Sequence, residues 1–432
     1  MTITQPTVLV LIGITGDLAG RKLVPGIANL AADGRLGDKF RFIGTSRRTL
    51  SVKEALGENS NDYLKSVTTT YQLDPTKAED FEQFKTYIGD LAAKLGEDAK
   101  IIFYLSVPPE AMDDVIEQLG NSGFNQHKDV SLMLEKPFGQ NLESAKALMG
   151  KITSYFREDQ LFLIDHYLAK EMTQSLTILK DDNRWLSADW SNQHIKHINI
   201  KIYEDIGVEG RADFYEQTGA LKDVLQSHAL QLTATTLIPA IANLAAGTLP
   251  KRRLEMLKSL RLDQSNDAAI IRGQYQTYKT EVGNPISSVE TFVSLPLISD
   301  LPLWENVTIN VATGKKLNQK LTEVEIIFKV SRRLLIQIEP EQFVSYDMSL
   351  KAAGYDSVAH TTSLKYNNEG QGIEAYQRLF YDALRGSHEL FVGVEEIFEQ
   401  WRIIEPVMER WQLSDDDLIS YEAAQDPANI KQ

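Results

Sequence analysis

Residues Thr7 to Gly20 read TVLVLIGITGDLAG. The run TVLVLI enters Gly13 without the polar alternation of a half-exposed strand. An uninterrupted run of that length is how a strand covered on both faces of a parallel sheet reads. A helix-like stretch follows, from about Leu18 to Ala32. The theme then repeats in FRFIG (Phe40 to Gly44), IIFYLSV (Ile101 to Val107) and VSLMLEKP (Val130 to Pro137), with helical stretches between. Strands alternating with helices predict an α/β domain, a Rossmann-like doubly wound parallel sheet.

After about residue 180 the period changes. HINIKIYE (His197 to Glu204) alternates, with Ile198, Ile200 and Ile202 on one face. Val307, Ile309 and Val311 alternate, as do Val324, Ile326, Phe328 and Val330, and Leu334, Ile336 and Ile338. Strands with one wet face belong to antiparallel sheets. The second half is therefore expected to be α+β, a large antiparallel sheet with helices on one face. The boundary is set between residues 168 and 169. The polar tail after Gln412 is expected to fray.

The chain has 432 residues, and 60 acidic against 45 basic side chains give a formal charge of −15. Such a surface repels nucleic acid and anionic membranes, so neither is expected as a partner. It also repels an anionic substrate, so any phosphate site has to be a local basic cluster. There are no cysteines, which rules out disulfides, thiolate metal sites and thiol catalysis. The N-terminal apolar run is short and lacks a basic flank, and no stretch reaches the roughly 18 apolar residues of a spanning helix. A cytoplasmic location is expected.

Gly13 and Gly16 stand where the first strand meets its helix. Glycine there lets backbone approach a phosphate at a helix N-terminus. Simple turn chemistry would read the same. The second strand runs into GTSRR, and Arg47 and Arg48 occupy the place where an NAD enzyme usually carries an acid for the ribose 2′-hydroxyl. A guanidinium pair suits a 2′-phosphate instead. Together the two features favour NADP.

IDHYLAKEMTQSLTILK, from Ile164, reads as a helix that places His166 and Lys170 on one face beside Tyr167. The three could clamp a phosphate, or form an ordinary polar face behind an N-cap at Asp165. GALKDVLQSHALQLTATTL, from Gly219, reads as a second helix, with His228 on the face of Leu221, Leu225 and Leu232. A core histidine is one reading. Asp223, Gln226 and Ser227 on the same helix support a functional one.

These segments, in this order from residue 8 to about residue 411, resemble the glucose-6-phosphate dehydrogenase family. GITGDLAGRKLVPGIANL is similar to its coenzyme fingerprint, and LEKPFGQNLESA and IDHYLAKE to two further signatures. YEDIGVEGRADFYEQTGALKDVLQSHALQL, ATGKKLN, EAYQRLFYDALRGSHELFV and EEIFEQWRIIEP are similar to later blocks. The resemblance implies His228 as the general base on the anomeric hydroxyl and Asp165 as the carboxylate that orients it. That is sensible chemistry, since oxidising a hemiacetal needs a base near neutral pKa and no metal. It further implies His166, Tyr167 and Lys170 on the 6-phosphate, and Lys136 near both substrate and nicotinamide. A cis peptide is implied before Pro137. Glu204 and Asp223 fall on the sugar hydroxyls, and Lys315 and Lys320 on the sugar or its phosphate. Gly13, Thr15, Gly16, Asp17, Leu18, Lys22 and Arg47 fall on the coenzyme. A homodimer paired through the antiparallel sheet is implied as well.

The chain departs from the family pattern at Gly20, Leu163, Ala169, Lys222, Ser227, Ala312 and Glu339. Glu339 stands where the family has a glutamine near the sugar. Two readings of it are open: it pairs the ammonium of an amino-sugar 6-phosphate such as glucosamine 6-phosphate, or Lys222, Lys315 or Lys320 neutralises it and the substrate is glucose 6-phosphate. A third alternative is a non-catalytic, NADP-binding regulatory homologue.

Overall fold

The computed structural model describes residues 1–58, 61–240, 247–265, 270–330, 332–351, 359–368 and 372–431. Two compact units divide the chain: residues 1–139, 143–169 and 373–394 form the first, and 140–142, 170–372 and 395–432 the second. A single cut at 168 would leave 373–394 on the wrong side. That segment belongs to the first unit because its apolar face is part of that unit's core.

In the first unit, strands β1 (Thr7–Ile12), β2 (Phe40–Ser46), β3 (Thr68–Gln72), β4 (Lys100–Leu105), β5 (Val130–Glu135) and β6 (Leu161–Ile164) pair in parallel in the order β3-β2-β1-β4-β5-β6. Every residue of β1 and β4 is buried, as the unbroken apolar runs require. The strand Phe391–Val392 adds an antiparallel edge to β6. The helix Ala375–Arg385 brings Leu379, Phe380, Ala383 and Leu384 into one cluster with Leu9, Leu11, Leu23 and Ile27. The strand order is that of a Rossmann sheet, whose ligand crevice opens where the order reverses, between β1 and β4.

The second unit is built on β7 (Ile195–Tyr203), β8 (Leu260–Leu262), β9 (Ile271–Tyr275), β10 (Phe292–Ser299), β11 (Thr308–Gly314), β12 (Leu321–Phe328), β13 (Arg333–Glu339), β14 (Phe343–Lys351) and β15 (Ala359–Asn367). The order is β15-β14-β13-β12-β7-β11-β10-β9, with β8 on β10. Pairing is antiparallel except between β7 and β11 and between β9 and Leu418–Tyr421. The alternating isoleucines of β7 are buried, as are Val324, Ile326, Leu334 and Ile336. Val330 lies beyond the end of β12 and is exposed, outside the face expected of it.

Two local expectations are corrected. The tail after Gln412 does not fray: Leu418–Tyr421 joins the sheet, and Tyr421 is buried. IDHYLAKE is not one helix. β6 stops at Ile164, His166–Ala169 form a 3₁₀ turn, and the α-helix starts at Glu171. The cause is Asp165, whose Oδ1 accepts the Tyr167 N–H at 3.0 Å and so diverts the backbone into a turn.

Candidate active site

The nucleotide side begins at the carboxyl end of β1. Gly13 has φ +93°, and a Cβ there would stand 2.3 Å from the Ser106 carbonyl oxygen beyond β4. Only glycine fits so close an approach. Gly16 N–H donates to Gly13 O at 3.0 Å, which closes the turn ahead of a helix entered through Leu18. Thr15 and Asp17 are exposed on the turn, and Asp17 pairs with Arg21 one helical step on. Lys22 lies 3.3 Å from Glu374, a residue that also caps the helix Ala375–Arg385. After β2, Arg47 and Arg48 are both exposed. A turn bounded by Gly13 and Gly16 at the carboxyl end of β1, with two guanidinium groups beyond the next strand, suits the phosphates of a nicotinamide nucleotide.

β5 and β6 deliver the chemistry of this unit. Lys136 follows β5, and its peptide bond to Pro137 is cis, as the resemblance implied. Asp165 follows β6 and is 3% exposed. His166 and Tyr167 are half-buried neighbours, with ring centroids 5.0 Å apart. The His166 ring also lies parallel to Tyr376, at 6.0 Å.

Sequence reasoning passed over Glu135, between Leu134 and Lys136. Tyr104 and Tyr376 both hydrogen-bond its carboxyl group. Desolvation pushes Glu135 up to about 7, against the two phenol hydrogen bonds and the Lys136 ammonium, which favour the charged form. The EKP motif marks Glu135 as a candidate, but nothing local announces Tyr376, some 240 residues later.

In the second unit, Lys170 sits in extended backbone just ahead of the helix Glu171–Asp182. Lys180 of that helix is buried and donates to the carbonyls of Thr235 (2.9 Å), Thr236 (3.4 Å) and Ile238 (2.6 Å). These close the C-terminal end of the helix Leu230–Leu237. Burial pulls Lys180 down to about 7. The carbonyls and the helix dipole favour its charged form.

His228 belongs to Leu221–Ala229, a wide helix of the π type that runs directly into Leu230–Leu237. Here i→i+5 bonding stacks residues five apart, so Asp223 and His228 share a face that α-helical spacing would have denied them. Both are buried, and so are Gln226 and Ser227. Buried residues surround this helix on most sides, so the single apolar stripe of Leu221, Leu225 and Leu232 does not describe it.

Its start is held by Glu290. The Ala220 N–H donates to the Glu290 carbonyl and the Leu221 N–H to Oε1, each at 3.0 Å. Gly219 has φ +60°, and a Cβ there would meet Oε1 at 2.2 Å. Gln400 donates to Ser227 O at 3.1 Å from the helix Val394–Leu413.

The parallel β7–β11 pair explains Glu204 and Lys315. Tyr203 is in register with Gly314, so the next residues emerge side by side, and the Lys315 ammonium pairs with the Glu204 carboxylate. Lys315 is also 5.4 Å from the Tyr215 ring centre. The Tyr421 hydroxyl donates to Lys315 O at 2.7 Å, so the C-terminal strand braces this residue. Lys170 Nζ is 2.8 Å from Glu339 Oε1, and Lys320 Nζ is 3.9 Å from Oε2. The neutralising partners of Glu339 are therefore Lys170 and Lys320. Lys315 is engaged by Glu204, and Lys222 lines the end of the wide helix near Glu290.

Residues 10–175 match the family model described as glucose-6-phosphate dehydrogenase, NAD binding domain, and residues 177–432 match the C-terminal domain of the same family. The chain is 30% identical over 450 residues to a glucose-6-phosphate 1-dehydrogenase of Bacillus subtilis (strain 168), spanning 94% of this chain and 92% of the relative. It is 30% identical over 461 residues to that of Dickeya dadantii (strain 3937), spanning 96% and 93%. A solved glucose-6-phosphate dehydrogenase in complex with its substrate glucose-6-phosphate is similar at 25% identity, 99% and 97% coverage and a TM-score of 0.91. A Mycobacterium avium glucose-6-phosphate 1-dehydrogenase is similar at 27% identity, 98% and 94% coverage and a TM-score of 0.83. The chain belongs to the glucose-6-phosphate dehydrogenase family.

Proposed function

We propose that this protein is an NADP-dependent glucose-6-phosphate 1-dehydrogenase that yields 6-phosphogluconolactone, the first oxidation of the pentose phosphate pathway. The observation that carries the reading is His228, buried on the wide helix together with Asp223, in a chain whose residues 10–175 and 177–432 match the two domains of the family. His228 takes the proton from the C1 hydroxyl as the C1 carbonyl forms. The nicotinamide coenzyme, when bound, supplies the acceptor for the hydride that leaves C1. Asp165 is the carboxylate partner of the base, fixing its tautomer and favouring its imidazolium form. Its burial and its engagement by the Tyr167 N–H support a fixed carboxylate.

His166, Tyr167 and Lys170 hold the 6-phosphate, with Lys136 near the reacting carbon. Glu204 and Asp223 hold sugar hydroxyls, with Lys315 and Lys320 alongside. Gly13, Thr15, Gly16, Asp17, Leu18, Lys22 and Arg47 serve the coenzyme, with Arg47 on the 2′-phosphate. A homodimer through the larger sheet fits exposed Leu350, Leu364 and Tyr366 on β14 and β15, and sedimentation velocity of wild type and Leu364→Asp tests it: a wild-type monomer ends the idea. No helix among the described residues is long and apolar enough to cross a membrane.

His228→Asn is the decisive variant. NADPH formation from glucose 6-phosphate should fall by about 10²- to 10⁴-fold, with the unfolding transition preserved. Equal turnover by both proteins refutes the assignment.

A further inference from the structure

In the second unit, Lys170 and Lys320 share one carboxylate, that of Glu339, which has no part in the reaction just described. Glu339 closes β13, and its two carboxylate oxygens face different cations, Lys170 at 2.8 Å and Lys320 at 3.9 Å. The cations differ in freedom: the Lys170 side chain is 13% exposed and that of Lys320 is 54% exposed, with Glu339 between them at 31%. An ammonium as withdrawn from water as Lys170 requires an anionic or strongly polar partner, and here a carboxylate provides it. Carboxylates and phosphate monoesters are interchangeable ligands for an ammonium, but the phosphate brings close to two negative charges at neutral pH.

We propose that Glu339 is an exchangeable internal counter-anion of the sugar-phosphate site, holding Lys170 until a phosphate monoester dianion takes that lysine and the carboxylate passes to Lys320. The inference rests on the reading of Lys170 as a phosphate ligand. The exchange needs little movement. Lys320 already faces the second oxygen, and its exposed, flexible stem closes the remaining gap at small cost. Lys170 keeps an anionic partner in both states, so it is never left bare.

Two consequences follow for binding. The substrate competes with a resident anion, so it binds less tightly than it would to an unoccupied lysine. A monoanion competes on about even terms with the carboxylate and gains little from Lys170, whereas a dianion keeps a net attraction.

Glu339→Gln keeps the shape and removes the charge. KM for glucose 6-phosphate should fall about threefold to tenfold, with kcat little changed. The inhibition constant of glucose 6-sulfate, a monoanion of the same shape, should fall by a similar factor, since both ligands displace the same carboxylate. Lys320→Met should raise KM in the wild-type background, where the displaced carboxylate loses its second partner. In the Glu339→Gln background the same change should raise KM less, by only what the contact of Lys320 with the substrate itself contributes. An unchanged or raised KM in Glu339→Gln overturns the proposal, as does an equal effect of Lys320→Met in both backgrounds. The Lys320→Met pair also covers the case in which Glu339→Gln fails to fold, because loss of its wild-type effect on KM overturns the exchange by itself. Absence of wild-type turnover of glucose 6-phosphate removes the assigned reaction instead, so the two failures are separable.

Discussion

At the scale of single residues, Glu135 has the most distinctive chemistry outside the base. Its folded value of about 7 lies above the ordinary 4.5, because desolvation outweighs the phenols and Lys136. The folded protein therefore holds a proton that the unfolded chain releases between those two values. Stability from this group is fully present below about 4.5 and declines as pH rises through 7. The difference amounts to about 3 kcal/mol across that window. Glu135→Gln should raise Tm at pH 8, leave it nearly unchanged at pH 5, and so flatten the pH dependence. A parallel pair of Tm–pH curves would contradict this. Arg47 allows a second check on coenzyme choice. Arg47→Ala should raise KM for NADP far more than KM for NAD, and equal increases would show that the 2′-phosphate is held elsewhere.

The residues that sequence alone picked out were those with distinctive chemistry in a motif, such as His228, Asp165 and Lys315. The pairing of Asp165 with His228 came only from the resemblance, and the lysine–carboxylate pairs were not legible. Lys315 meets Glu204 only because β7 and β11 run parallel, and Lys170 meets Glu339 through the approach of a helix start to a distant strand end.

At the scale of elements, the buried strands were legible because a strand covered on both faces carries its environment in every residue. β1, β2, β4 and β5 appear within a few residues of their expected limits. Helices were less so. His166 and Lys170 had helical spacing, but a single side-chain acceptor at Asp165 turned the backbone before a helix could form. The wide helix around His228 was hidden because a 3.6-residue period was assumed, and residues five apart are not sought on one face.

Lys180 tests how far this helix depends on its far end. Lys180→Met leaves three carbonyls without their shared donor in a buried position. It should cost about 2 to 4 kcal/mol and lower kcat if the strain reaches His228. Urea unfolding of the purified variant measures the first quantity. A loss below about 0.5 kcal/mol would show that water replaces the ammonium.

At the scale of the whole chain, the division into a parallel α/β unit and a mostly antiparallel one was legible because the hydrophobic period changes from continuous to alternating near residue 180. The composition of each unit was not. Residues 373–394 carry a helical pattern that suits either unit, and nothing local says which core receives Leu379, Phe380 and Leu384. The tail misled for a related reason: Leu418, Ile419 and Tyr421 sit among acidic residues, and only the open edge of β9 gives them a place.

The late segment has a consequence for biosynthesis. A ribosome delivers the chain from its N-terminus, and the first parallel sheet has its six parallel strands by residue 164. The apolar patch that awaits Leu379, Phe380 and Leu384 stays uncovered while more than two hundred further residues are made. The nascent protein thus carries a sticky, incomplete nucleotide domain through half of its synthesis, the period in which holdase chaperones act. A fragment ending at residue 172 should be aggregation-prone. One in which residues 373–394 are joined to it by a flexible linker should be soluble and melt cooperatively. Equal solubility of the two fragments would mean that the early strands shield themselves.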